Sequence, residues 1–204
     1  MTATAPAGKT KDSAIATKRC MTPEFRVSFP SMFKPKAFEG QEAKFGLTML
    51  FPKTTDLKEL KRAAFNAAVE KWGTKDKWPK NLRLPFRDGN EKADMEGYKD
   101  TTFVSATSKQ QPGLVNKAVE EIISEAEFYP GCYARATLIA FAYDQKGNKG
   151  VSFSLQNVQK IRDGKSFSGR RKASDEFDAV DSGDDDGLGG MDGTGMEEDD
   201  GLGM

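Results

Sequence analysis

Histidine is absent from this 204-residue chain. That removes imidazole acid–base chemistry, the commonest metal ligand and any Ser–His–Asp arrangement. Only two cysteines are present, Cys20 and Cys132. Their number and spacing suggest neither a disulfide framework nor a metal site, so no cofactor is expected. No apolar run is long enough to cross a bilayer. Residues 1–18 lack the hydrophobic stretch of a secretory signal, and we read them as a flexible arm, with the chain working reduced in the cytoplasm.

The net charge is zero, with 31 basic and 31 acidic residues, but the two signs are segregated. Twelve acidic and no basic residues follow Lys172, which leaves residues 1–172 with 31 basic and 19 acidic ones. A body of +12 joined to a tail of −12 points to a polyanion-binding body. Residues 173–204 are Gly- and Asp-rich, and their scattered Leu188, Met191, Met196, Leu202 and Met204 cannot form a core. We read them as a disordered acidic tail and residues 19–172 as the folded domain. The basic segment around Arg162, Lys165, Arg170, Arg171 and Lys172 is a candidate dock for that tail.

Alternation of apolar residues predicts strands at Glu24–Phe29, closed by Pro30, and at Lys44–Phe51, closed by Pro52. Another is expected within Asp100–Ala106. The clearest strand is Cys132–Tyr143, with Tyr133, Arg135, Thr137, Ile139, Phe141 and Tyr143 on one face. After a hairpin-like loop at Asp144–Gly150, Val151–Ile161 returns. Its stripe of Val151, Phe153 and Leu155 reaches Val158 only through a register shift, which a bulge would supply. Helix one is expected over Asp56–Trp72, with Asp56 and Glu59 as a capping box and Gly73 as its stop. Helix two is expected from Pro112 to about Ala126, with a Val115, Val119, Ile122 and Ala126 stripe. The fold class is mainly β with inserted helices, and a small OB-like β-barrel fits it; a generic α+β sheet has the same periodicity.

Single-stranded DNA offers phosphates to cations and bases to aromatic faces. The body interleaves both. Arg26 lies between Phe25 and Phe29, and Lys34 and Lys36 follow Phe33. Lys75, Lys77 and Lys80 surround Trp78; Arg83 and Arg87 surround Phe86. Tyr133 and Arg135 share a strand face, with Tyr143 at its far end. These are the candidate nucleic-acid contacts. Phe25, Phe29, Phe45, Phe65 and Trp72 lie on apolar stripes and are assigned to the core. The excursion 73–101 lacks periodicity, and a loop of that length in a compact domain is usually put to use.

Several blocks resemble a known family: Phe33-Lys34-Pro35 with Gly40-Gln41, Leu50-Phe51-Pro52-Lys53, and Phe128-Tyr129-Pro130-Gly131-Cys132-Tyr133-Ala134-Arg135-Ala136. Asn148-Lys149-Gly150-Val151-Ser152-Phe153, Leu155-Gln156-Asn157 and Gln159-Lys160-Ile161-Arg162-Asp163-Gly164 extend the likeness. The chain resembles bacteriophage single-stranded DNA-binding proteins, a phage family formerly of unknown function. The resemblance implies an OB fold, sequence-independent binding of single-stranded DNA in phage replication or recombination, and an acidic tail that contacts replication proteins. It places the protein in the cytoplasm of an infected bacterium. The tail departs from the bacterial pattern, closing on Gly201-Leu202-Gly203-Met204 rather than on Asp-Phe-like residues.

Two other readings are open. The same β core could be a protein-interaction or structural module. Nucleic-acid cleavage is disfavoured, because paired-metal chemistry needs clustered carboxylates on a rigid scaffold, whereas Asp88, Glu91, Asp94 and Glu96 lie in the excursion.

Overall fold

A computed structural model describes residues 18–37, 42–145 and 147–167. The arm before residue 18 and the acidic tail lie outside the described residues.

Among the described residues the strands are β1 (Arg19–Met21), β2 (Phe25–Lys36), β3 (Lys44–Pro52), β4 (Arg87–Asp88), β5 (Thr101–Ser108), β6 (Gly113–Val115), β7 (Tyr133–Gln145) and β8 (Asn148–Arg162), and the long α-helix is α1 (Lys58–Trp72). Five of them close a ring. β2 pairs antiparallel with β3, β3 with β5, β7 with β8, and β7 again with β2. β5 and β8 complete it in parallel. This is the Greek-key barrel of an OB fold. Two of the seams are short: Ala106↔Phe153 and Thr107↔Ser154 join β5 to β8, and Phe25↔Ala134 and Arg26↔Tyr133 join β2 to β7.

Alternation explains the core. Phe25 and Val27, Leu47, Met49 and Phe51, and Val151, Phe153 and Leu155 point inward and are buried. On β7 the small face of Ala134, Ala136, Leu138 and Ala140 is the inner one. α1 packs against β7, β1 and β8 through Leu60, Ala63, Ala64, Ala67 and Ala68. Alanines on both surfaces let the elements approach closely. The expected bulge in β8 is present: Thr137 pairs with Asn157 but Leu138 with Leu155, so Gln156 is the extra residue. It brings Val158 back to the buried face.

Several expectations need correction. Helix two does not form. Gly113–Val115 is instead β6, parallel to β8 with Leu114 opposite Val158. The Asn116 carboxamide oxygen accepts from the Ala118 and Glu120 amides at 2.8 and 3.0 Å, a local bond that competes with helix. Val119 turns to φ 66, and it and Ile123 are 71% and 81% exposed. Leu114 and Ile122 are buried, facing each other through an Ile122 N–H bond to the Leu114 carbonyl. α1 starts at Lys58 and lacks the reciprocal capping box, although the Asp56 carboxylate still accepts from the Lys58 amide at 2.9 Å. Pro30 does not close β2, which continues to Lys36 across two register breaks.

The excursion folds against the outside of the barrel. β4 pairs with β5, and Leu50, Tyr98 and Phe103 form a second small core with Met95 and Phe167 packed on it. The Tyr98 hydroxyl lies 3.2 Å from Ser28 Oγ, inside the protein. Much of this long loop is therefore structural.

Candidate nucleic-acid interface

Three hollows adjoin across the outer face of β2, β3 and β5. The first, about 360 Å³, is lined by Phe29, Pro30, Ser31, Phe33, Lys34 and Lys36 on one side and Phe128 and Tyr129 on the other. The second, about 410 Å³, shares Phe29, Ser31 and Lys36 and adds Lys44, Phe45, Gly46, Thr48, Ser105 and Thr107. The third, about 580 Å³, shares Ser105 and continues to Arg83, Leu84, Arg87, Phe103 and Tyr143. Together they make one groove from the β2–β3 connection to the β7–β8 hairpin. In OB-fold terms this is the face of the second and third barrel strands, flanked by the loops that such folds use for oligonucleotides.

The floor is small and uncharged. Thr48 and Ser105 hydrogen-bond to each other at 2.9 Å. Gly46 faces the bulged part of β2, and a Cβ there would stand 2.7 Å from the Ala106 carbonyl oxygen, so β3 and β5 need glycine at this point.

Five cations line the groove, Lys34, Lys36, Lys44, Arg83 and Arg87, against two carboxylates, Glu42 and Glu125. Both carboxylates have a lysine partner, Lys109 at 2.7 Å and Lys34 at 3.9 Å. The Lys109 hydrogen bond and charge hold Glu42 below the usual carboxylate range. Arg87 pairs with Glu91 at 2.8 Å. Among the described residues Lys36, Lys44 and Arg83 form no ion pair, although the Lys44 charge also helps to lower Glu42.

Phe29 is the outlier of this surface. Its place on the alternating stripe of Phe25 and Val27 predicts a core position, yet it is 54% exposed. Its φ is 46°, a value that bulky side chains avoid and that the following Pro30 disfavours further. Such backbone costs about 1–3 kcal/mol and persists only where neighbours enforce it. Here they do. Val27 exchanges backbone bonds with Gly131 and Cys132 at 2.8 and 2.9 Å, and Ser28 is held by Tyr98. Pairing resumes at Ser31↔Gly46, after one extra residue in β2. Phe45, also assigned to the core, is half-buried at the groove wall. The signal for both was Ser28-Phe29-Pro30-Ser31, a proline inside a run that goes on alternating.

Phe33 lines the first hollow while its inner side packs on the core. The remaining candidates fall elsewhere. Phe86 packs edge-on against Phe153. Lys75, Lys77 and Lys80 are exposed beyond the end of α1. Between them Trp78 folds back: its indole N–H donates to the Gly73 carbonyl at 3.0 Å, and its ring lies 5.4 Å from that of Phe65. Phe65 is consequently a surface partner of Trp78, 49% exposed, rather than a core residue; Trp72 does pack on the core.

Arg26, Tyr133 and Arg135 belong to another cluster. Arg26 donates to the carbonyls of Gly131 and Lys165 at 3.3 and 2.8 Å and stacks on Phe167. Arg162 covers the Tyr133 ring and pairs with Glu24. Arg135 donates to Gln159 at 2.8 Å. Arg26 fastens the segment after β8 to β2, while the Arg162–Tyr133 stack and the Arg135–Gln159 bond tie β8 to β7.

Among the described residues no group of three or more acidic, cysteine or histidine side chains could hold a metal. No described helix is long and apolar enough to span a membrane.

Comparison with known proteins agrees with the barrel. A putative protein of Acyrthosiphon pisum secondary endosymbiont phage 1, p50, is 38% identical over 165 residues, covering 75% of this chain and 89% of the relative. The single-stranded DNA-binding protein from bacteriophage Enc34, solved in complex with ssDNA, superposes with a TM-score of 0.64 at 25% identity, over 74% of this chain and 89% of that one. The single-stranded DNA-binding protein of bacteriophage T7, 13% identical with a TM-score of 0.52 over 77% of this chain and 98% of that one, shares the fold. The family model described as "Enterobacter phage Enc34, ssDNA-binding protein" matches residues 18–188, and the chain belongs to that family.

Proposed function

We propose that this protein binds single-stranded DNA without regard to sequence along the groove from Phe33 to Tyr143. The observation that carries this is a small uncharged floor bordered by Lys36, Lys44 and Arg83, with Phe29, Phe45 and Tyr143 beside it. Cations take phosphates and aromatic faces take any base. A floor of Thr, Ser and Gly offers few groups with which to choose among bases. The Enc34 relative's complex with ssDNA supports the same reading.

The role that follows is coating and protecting single strands during phage DNA replication or recombination, in the cytoplasm of the infected host. The twelve acids after residue 172 oppose the same phosphates for the body's cations, and in their released state are available to replication or recombination proteins. Deleting residues 173–204 is expected to tighten binding most at low salt, because ions screen both interactions.

The test is anisotropy with a labelled oligonucleotide across a salt series. The slope of log K against log[salt] is about −0.7 per phosphate neutralised on a single strand. Lys36→Ala, Lys44→Ala and Arg83→Ala should each flatten it by about that amount. A slope near zero, or full binding by the triple variant, would rule the groove out.

A further inference from the structure

The geometry points to Phe29 as a wedge that enters the base stack of a bound strand, so that one base lies in each hollow beside its ring. This rests on the groove being the single-strand site and names the residue that breaks the strand there.

Phe29 is the aromatic residue common to the first and second hollows, together with Ser31 and Lys36. It stands on a bulge, so its direction is set by backbone rather than by side-chain packing. The anchors on either side, Val27 on Gly131 and Cys132 and Ser31 opposite Gly46, leave the Phe29–Pro30 peptide one residue too long for the ladder. The surplus residue must project outward. Proline at position 30 carries no N–H, so the bulge leaves no unpaired donor there.

Burial does not explain the conformation, since the ring is 54% exposed. A glycine would take φ 46° without strain, and any polar residue would suit the solvent better than phenylalanine. An aromatic side chain held in a disfavoured conformation, facing out, between two cavities, is suited to a planar ligand. A side chain whose backbone is held before binding also loses less freedom when a base stacks on it. The hollow on the β3 side offers Phe45 as a second wall, and that on the β2 side offers Phe33 and Tyr129.

The experiment uses the full chain with Phe29→Gly, Phe29→Trp and, for comparison, Lys36→Ala, measuring affinity for an oligo-dT, its salt slope and Tm. Phe29→Gly should lower affinity about 5- to 150-fold, the loss that base–aromatic stacking implies. Its salt slope should be unchanged, because no charge is removed, and its Tm unchanged or raised, because the strain is gone. Phe29→Trp should bind within about threefold of the parent, with tryptophan emission that responds to DNA. Lys36→Ala should instead flatten the slope. Undiminished binding by Phe29→Gly overturns the wedge and leaves the groove standing. A lowered Tm in Phe29→Gly overturns it too, since the ring would then be structural. Failure of the parent chain to bind the oligonucleotide overturns both readings.

Discussion

The guanidinium of Arg162 lies 3.4 Å from the centre of the Tyr133 ring, and Arg26 approaches the same ring at 5.6 Å. An aromatic side chain that looks available in the sequence is thus engaged by two cations from the protein itself. Tyr133→Ala should cost about 1–2 kcal/mol of stability, each cation–π contact at a partly exposed site being worth about 0.5–1. Its affinity for single strands should stay close to that of the parent. Chemical denaturation alongside a binding titration checks both; a large loss of affinity with unchanged stability would return Tyr133 to the interface.

Trp78→Ala is expected to act on the fold. The substitution removes the indole bond to Gly73 and the contact with Phe65, together about 2 kcal/mol. For a chain of this size that lowers Tm by several degrees, about 2–4 °C per kcal/mol. A thermal melt with unchanged midpoint and weakened DNA binding would show that the ring serves bases instead.

Gly131 sits at φ 106°, and a Cβ there would stand 2.1 Å from the Lys165 carbonyl oxygen. Gly131→Ala must therefore push away the segment that Arg26 holds. A loss of more than about 2 kcal/mol is expected, with faster proteolysis after β8. Equal stability of the variant would show that this segment is not fastened as described.

Burial pushes the thiols of Cys20 and Cys132 up to about 11. Both should resist alkylation at pH 8 in the native protein and react together in denaturant. The folded values lie above the ordinary 9.0, so this contribution to stability is complete below pH 9 and is lost as pH rises through 11. A thiol that reacts rapidly without denaturant would contradict the burial. With no histidine in the chain, DNA affinity should also be flat from pH 5.5 to 7.5 at constant ionic strength. A sigmoidal change in that range, read by anisotropy, would reveal a titrating group in the groove.

The sequence carried the barrel well where neighbours along the chain decide the outcome. Val151, Phe153 and Leu155 with the displaced Val158 announced a bulged strand, and Gln156 is that bulge. The alanines and Leu60 of α1 announced a helix face. It carried the rest poorly where distant residues decide. Leu114 and Ile122 stand at a helical spacing, but β6 pairs with β8 more than forty residues on, and that pairing prevails over local preference. Phe29 has the parity of a core residue until one extra residue in β2 turns it outward. Of the candidate contacts, Phe33, Lys34, Lys36, Arg83, Arg87 and Tyr143 meet at the groove. Arg26 and Tyr133 do not, because their partners, Lys165 and Arg162, are recruited from far along the chain.

Closure of the ring by β8 has a consequence for biosynthesis. β2 begins at Phe25, but the strand that seals the barrel ends only at Arg162. At about 5–20 residues per second, the first strand emerges on the order of ten seconds before the last one can join it. Through that interval the apolar sides of β2, β3 and β5 have no partner across the barrel, while α1 is already able to form. Pausing the ribosome just ahead of codon 148 should lengthen this exposure and shift the product towards the insoluble fraction, whereas an equal pause about forty codons beyond β8, once that strand has left the ribosome, should not.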